Sequence, residues 1–230
     1  KLYVADVTNG KGTLVATFAQ VPGALRVGAL RVPRELLPLW AVGVFAVSGF
    51  PLDEVWHRAY GVDVTMWSPT HMLMILGATF TPLAAWMVLG GAGVRARAGG
   101  WSTGLHVACA VLTLQGLVAP LGEFSFGVPQ FGLLFSPMLL SLAAGLGLTA
   151  CRRVLGPWRT LGIVVLTTGV SFIAGDGPAP TRPVGLLIVS ALVVELVARI
   201  GSDARPLRRA VVGGLGIGTV GLAAEWWWNQ

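Results

Sequence analysis

From residue 35 onward, apolar residues do not alternate with polar ones but continue in long runs broken by short polar loops. A half-buried strand alternates every second residue and is short, so these runs predict helices. A helix needs about 20 apolar residues to cross a hydrocarbon core of about 30 Å, and spanning helices satisfy their own backbone hydrogen bonds. Seven such spans are read at 35–52, 66–89, 102–121, 131–150, 157–174, 184–200 and 210–228. The first continues as helix through Asp53 and His57, and the fifth is short. The expected fold is an all-α integral membrane protein, a bundle of about seven transmembrane helices. A transmembrane barrel is excluded by the missing alternation.

Residues 1–33 follow another pattern and are read as an extramembrane segment ahead of the transmembrane domain at 34–230. Leu2 to Val7, the Asn9-Gly10 pair and Thr13 to Ala19 predict strand, turn and strand, a β-hairpin. Val21-Pro22-Gly23 then breaks the run. The sequence starts at Lys1 with no signal-peptide pattern, so the expected N-terminus is processed or partial.

Composition agrees with a lipid environment. The chain is 54% hydrophobic and 11% charged, with a mean hydropathy of +0.75, against about 25% charged residues in a soluble domain. The net charge of +6 does not point to nucleic acid, because the arginines sit in short loops between spans. Arg26, Arg31 and Arg34 precede the first span, Arg95 and Arg97 follow the second, and Arg152, Arg153 and Arg159 follow the fourth. Arg199, Arg205, Arg208 and Arg209 follow the sixth. The alternate loops hold Arg58 and Arg182 beside Asp53, Glu54, Asp63, Glu123 and Asp176. The Arg-rich loops are therefore expected in the cytoplasm and the acidic ones outside. Cys109 and Cys151 fall in or at the end of apolar runs and read as free buried thiols.

One polar stretch stands out, Asp53 to His71, between the first two spans. It holds two of the three histidines and three of the ten carboxylates. Asp53 and His57, four residues apart, share a helix face. His71 returns at similar depth on the next, antiparallel helix. Two imidazoles and one carboxylate suit Cu(II), Zn(II) or Fe(II), and the stability order of divalent ions favours copper. The alternative is an interfacial polar patch in which His71 bonds locally. His106 lies near the opposite end of its span, too far away to join the cluster.

The order Trp56-His57, five residues, Asp63, then Ser68-Pro69-Thr70-His71 resembles the C subunit of particulate methane and ammonia monooxygenases, the copper membrane monooxygenase family. That family carries Asp-x3-His, then Asp, then Pro-Ser-His on neighbouring membrane helices. The resemblance implies that Asp53, His57 and His71 are metal ligands, for copper or zinc. It covers about 20 of the 230 residues. The interval between the histidines is one residue longer here, and Thr70 stands where the family has Ser. The later histidines of the family's second site have no counterpart, since only His106 remains.

Other polar groups are weighed around this set. Asp63 and Arg58 are candidates to support the ligands, or an ordinary loop charge pair. Met74, three residues after His71, offers a thioether suited to Cu(I), or simply packs. Glu123, in a Phe-, Gly- and Pro-rich loop, is a candidate extra ligand or proton acceptor, or a marker of the membrane edge. Trp56 and Trp67 read as interface residues. Glu195 is expected to pair with Arg199 one turn on, and His106 with Cys109 to form a packed polar pair. Gly214-x3-Gly218 favours close helix contact within the chain or with a neighbouring subunit.

The function expected is a metal-binding, copper-first membrane subunit of a monooxygenase-like complex, oxidising a small apolar substrate from the lipid. It would work with other membrane subunits or as a homo-oligomer. A copper or ion transporter, and a structural subunit without metal, are the alternatives.

Overall fold

The computed structural model describes residues 2–5, 12–16, 25–27, 30–62, 67–118, 135–174, 183–200, 206–228 and 230. In the N-terminal segment β1 (Leu2–Ala5) pairs antiparallel with β2 (Gly12–Ala16), and β3 (Leu25–Val27) with β4 (Leu30–Val32). The Asn9-Gly10 pair lies outside the described residues.

After a short 3-10 turn at Arg34–Leu36, the regular elements among the described residues are all helical. The order is α1 (Leu37–Tyr60), α2 (Pro69–Gly91), α3 (Gly100–Val118), α4 (Phe135–Leu155), α5 (Arg159–Ala174) and α6 (Val184–Ile200). A last continuous stretch follows as α7 (Pro206–Gly216), a π-helical turn (Ile217–Gly221) and α8 (Leu222–Trp228). Among the described residues, five helices are long and apolar enough to cross a membrane: Arg34–Tyr60, Pro69–Gly91, Gly100–Val118, Pro137–Leu155 and Pro206–Trp228. α5 and α6 are shorter, with 16 and 17 residues. Large apolar side chains such as Phe45, Val47, Leu146, Val165 and Leu196 face outward, as a lipid-facing surface requires.

Helix ends follow local chemistry. α2 begins at Pro69, not at 66, because Ser68 caps it and accepts the His71 N–H at 3.4 Å. Proline suits the first turn, where its missing N–H leaves nothing unsatisfied. α4 runs five residues past the expected end at 150, through Arg152 and Arg153. Cations in a last turn face the negative end of the helix dipole. Gly156, with φ of 98°, then stops it.

The core lies among α3, α4, α5 and α6, where Ala110, Leu114, Ala144, Leu148, Ile163 and Leu186 are nearly or fully enclosed. α1 stands at the edge and packs mainly on α2. Two glycines set that seam. A Cβ on Gly77 would lie 2.6 Å from the Ala46 nitrogen, and one on Gly49 would overlap the Met74 side chain.

Two buried polar side chains find partners away from the Asp53 cluster. Trp86 Nε1–H donates to His106 Nδ1 at 2.8 Å, and His106 Nε2 meets the Val94 carbonyl at 2.9 Å. The only tautomer that satisfies both contacts is protonated on Nε2. His106 therefore ties α2, the α2–α3 loop and α3 together, with its ring bonded to Trp86 and Val94 rather than to Cys109. Glu195 has a different partner from the one its spacing predicts. Its carboxylate lies in the interior, where Arg152 of α4 meets Oε2 at 2.9 Å. Trp158 N–H and Thr160 Oγ1–H donate to Oε1 at 2.8 and 2.6 Å. Arg199 instead lies over the Trp158 ring, 4.4 Å from its centroid. The i,i+4 rule describes exposed helix faces, and Glu195 is not on one.

Two outcomes are expected. Arg152→Ala strands a buried carboxylate and costs about 3–5 kcal/mol, while Arg199→Ala costs far less; thermal unfolding in detergent reads the difference. Gly77→Ala forces α1 and α2 apart and lowers the unfolding midpoint by several degrees, whereas Gly43→Ala, with no neighbour within 4 Å, leaves it near wild type.

Candidate metal site

α1 delivers Asp53 and His57 from its last two turns, and α2 delivers His71 from its first. The Gly49 and Gly77 seam holds the two helices close enough for these side chains to meet. Both imidazoles turn Nε2 toward one carboxylate oxygen. His57 Nε2 lies 3.2 Å and His71 Nε2 3.4 Å from Asp53 Oδ2. The rings stand edge to face, with centroids 5.6 Å apart. One donor atom from each of the three residues lies within 4.8 Å of the others. Asp53 is 14% exposed, His57 28% and His71 30%, so the cluster is sheltered but reachable.

Two of the three side chains have a support. Thr70 Oγ1–H donates to Asp53 Oδ1 at 2.6 Å, which leaves Oδ2 turned toward the histidines. His57 Nδ1 lies 3.0 Å from the Gly61 carbonyl. A carbonyl only accepts, so Nδ1 carries the proton, and in the neutral ring Nε2 keeps its lone pair. That lone pair faces an anionic oxygen at 3.2 Å. Two acceptors at this distance repel unless a cation lies between them, either a proton on the imidazole or a metal. Gly61 makes the contact possible. Its φ of 88° and ψ of −173° lie in a region open essentially to glycine alone. There its N–H bonds back to the His57 carbonyl at 2.9 Å while its own carbonyl reaches the His57 ring.

The spacing suits an ion. Ligand atoms about 2.1 Å from a common ion lie about 3.0–3.6 Å apart at angles of 90–120°, and both Asp53 Oδ2 to imidazole distances fall in that interval. Two neutral nitrogens and one carboxylate oxygen fit a divalent transition metal, with further positions open for water or another ligand.

Arg58 pairs with Glu54 at 2.7 Å on an exposed surface, an ordinary helix-face pair rather than a support for the ligands. Met74 lies against Gly49 in the α1–α2 seam, where its side chain packs. Asp63 and Glu123 lie outside the described residues. Trp56 stacks on Tyr60 with centroids 4.4 Å apart. His106, held by Trp86 and Val94, is not in the group of metal-ligating side chains.

Sequence reasoning passed over the supports. Gly61 carried a legible signal, as a glycine just past the last helical turn. Thr70 carried none, because nothing in a sequence pairs a hydroxyl with a carboxylate 17 residues away.

Thr70→Val and Gly61→Ala are each expected to weaken metal binding by about 10–100-fold, measured by chelator competition. Gly61→Ala also costs about 1–3 kcal/mol of stability through backbone strain. Wild-type affinity in both variants would show that these contacts do not orient the ligands. Among family models, curated proteins and solved structures, none matches this chain.

Proposed function

We propose that this chain is a membrane-embedded metal protein in which Asp53, His57 and His71 bind one divalent transition metal, copper first, and that it serves a monooxygenase-like complex acting on a small apolar molecule. The carrying observation is the convergence of two Nε2 atoms on one oxygen of Asp53, with His57 held in its metal-binding tautomer by Gly61. The order of typed residues from Asp53 to His71, which resembles the monooxygenase C subunit, supports the choice of metal and chemistry.

In this reading all seven helical stretches cross the bilayer. α5 and α6, at 16 and 17 residues, lie at the short limit of about 17. The Arg-rich loops then lie in the cytoplasm and the ligand cluster at the outer boundary of the hydrocarbon. Bound copper would supply the redox chemistry of oxygen activation. The chain's own part is to hold and orient. Asp53 offsets the ion's charge, Thr70 fixes which carboxylate oxygen faces the ion, and Gly61 fixes the His57 ring. The apolar outer surface of α1 and α2 lets a substrate dissolved in lipid approach from the side. Electrons would come from partner subunits.

A transport reading asks for polar groups available along a path through the bundle. His106 and Glu195 are already bonded to Trp86, Val94, Arg152, Trp158 and Thr160, so they lend it no support.

Purification without chelators, copper supplementation and metal analysis by mass spectrometry test the proposal. Close to one copper per chain is expected in wild type, and a loss of at least tenfold in Asp53→Ala, His57→Ala and His71→Ala. Wild type that stays metal-free after supplementation overturns it.

A further inference from the structure

A second polar site lies away from the ligand cluster, between α3, α5 and α6. It is a small cavity of about 20 Å³ lined by Gln115, Thr167, Thr168, Ser171 and Leu187, among others. Ser171 Oγ–H donates to Gln115 Oε1 at 3.1 Å across α5 and α3. Thr167 lines the same cavity, is 3% exposed, and its Oγ1 has no hydrogen-bond partner. A hydroxyl left alone in an apolar interior is costly, and buried polar groups in folded proteins are almost always bonded.

We infer that this cavity binds one water molecule, which bridges Thr167 to the Gln115–Ser171 pair. A water needs about 10–15 Å³ and two to four polar partners, and the cavity offers both the room and the oxygens. The lining residues named above are uncharged. A neutral occupant therefore fits better than a cation, which would be buried without a counter-charge. The water joins α3 to α5, a helix of only 16 residues, beside the apolar wall that Leu187 of α6 supplies. The inference is independent of the metal site.

Two other hydroxyls serve as controls. Thr113 Oγ1 and Ser190 Oγ are also buried without a partner, but neither residue is among those lining the cavity. Because neither lines this cavity, removing either hydroxyl takes nothing from this bridge. Replacing an unpartnered buried hydroxyl by an apolar group of the same shape has little effect or stabilises. Removing one that holds a bridging water destabilises.

The test is thermal unfolding of the full chain in detergent. Thr167→Val is expected to lower the midpoint by about 2–4 °C, Thr167→Ser to recover it, and Thr113→Val to leave it unchanged. Gln115→Leu with Thr167→Val should be no worse than Gln115→Leu alone, because both remove the same bridge. A Thr167→Val midpoint equal to or above wild type overturns the inference. So does a wild-type midpoint that rises with sodium chloride but not with choline chloride, which would assign a cation. An experimental map should show a density peak within hydrogen-bond distance of Thr167 Oγ1, and an empty cavity in a well-ordered map also overturns it.

Discussion

The close approach of α1 and α2 is the constraint on which the Asp53 cluster depends. Backbone meets backbone at Gly77 and Ala46, and Gly49 takes the Met74 side chain. Any side chain at Gly77 would widen the seam. Widening by a fraction of an ångström matters, because Asp53 Oδ2 and His71 Nε2 sit on opposite walls of it, 3.4 Å apart. Between helices that cross lipid the hydrophobic effect does not drive such contacts; small residues and close packing hold them together. The glycines thus act at the site without touching it.

The remaining helices solve a different problem, that of keeping polar groups inside an apolar bundle. His106 is held by a tryptophan N–H and a carbonyl, and Glu195 by an arginine, a backbone N–H and a hydroxyl. Each joins elements distant in sequence. Trp158 adopts a φ of 64°, uncommon for a bulky residue, and its N–H is one of the groups spent on Glu195. The strained turn and the buried acid therefore belong to one arrangement. The Asp53 cluster differs in kind. Its histidine nitrogens converge on a carboxylate from two helices, and it remains partly open to solvent.

Much of this was readable in the chain, for identifiable reasons. Long uninterrupted apolar runs can only be helices, so the helical course from residue 35 onward was legible. Asp53 and His57 declared themselves by their spacing of four, and His71 by the short antiparallel return. What was not legible depended on tertiary distance. Glu195 has Arg199 as its local neighbour in sequence and Arg152 as its neighbour in space. The end of α4 was misplaced because a charged pair looks like a loop, although arginines are welcome in a last helical turn. Thr70 was visible only as a variation on a motif, while its hydroxyl proves to hold the carboxylate.

Asp53, His57, His71 and the two groups that orient them fall within one stretch, from Asp53 to His71. α1 packs mainly on α2, and the core among α3 to α6 contributes no donor to the group. Synthesis proceeds from the N-terminus, so this hairpin is made before α3 to α8. Among the described residues, the three convergent side chains meet as soon as α2 has folded back on α1, while the helices that bury His106 and Glu195 are still to come. Assembling the cluster and closing the bundle are therefore separate events in the biosynthetic order, with the cluster a property of two helices and not of the finished fold.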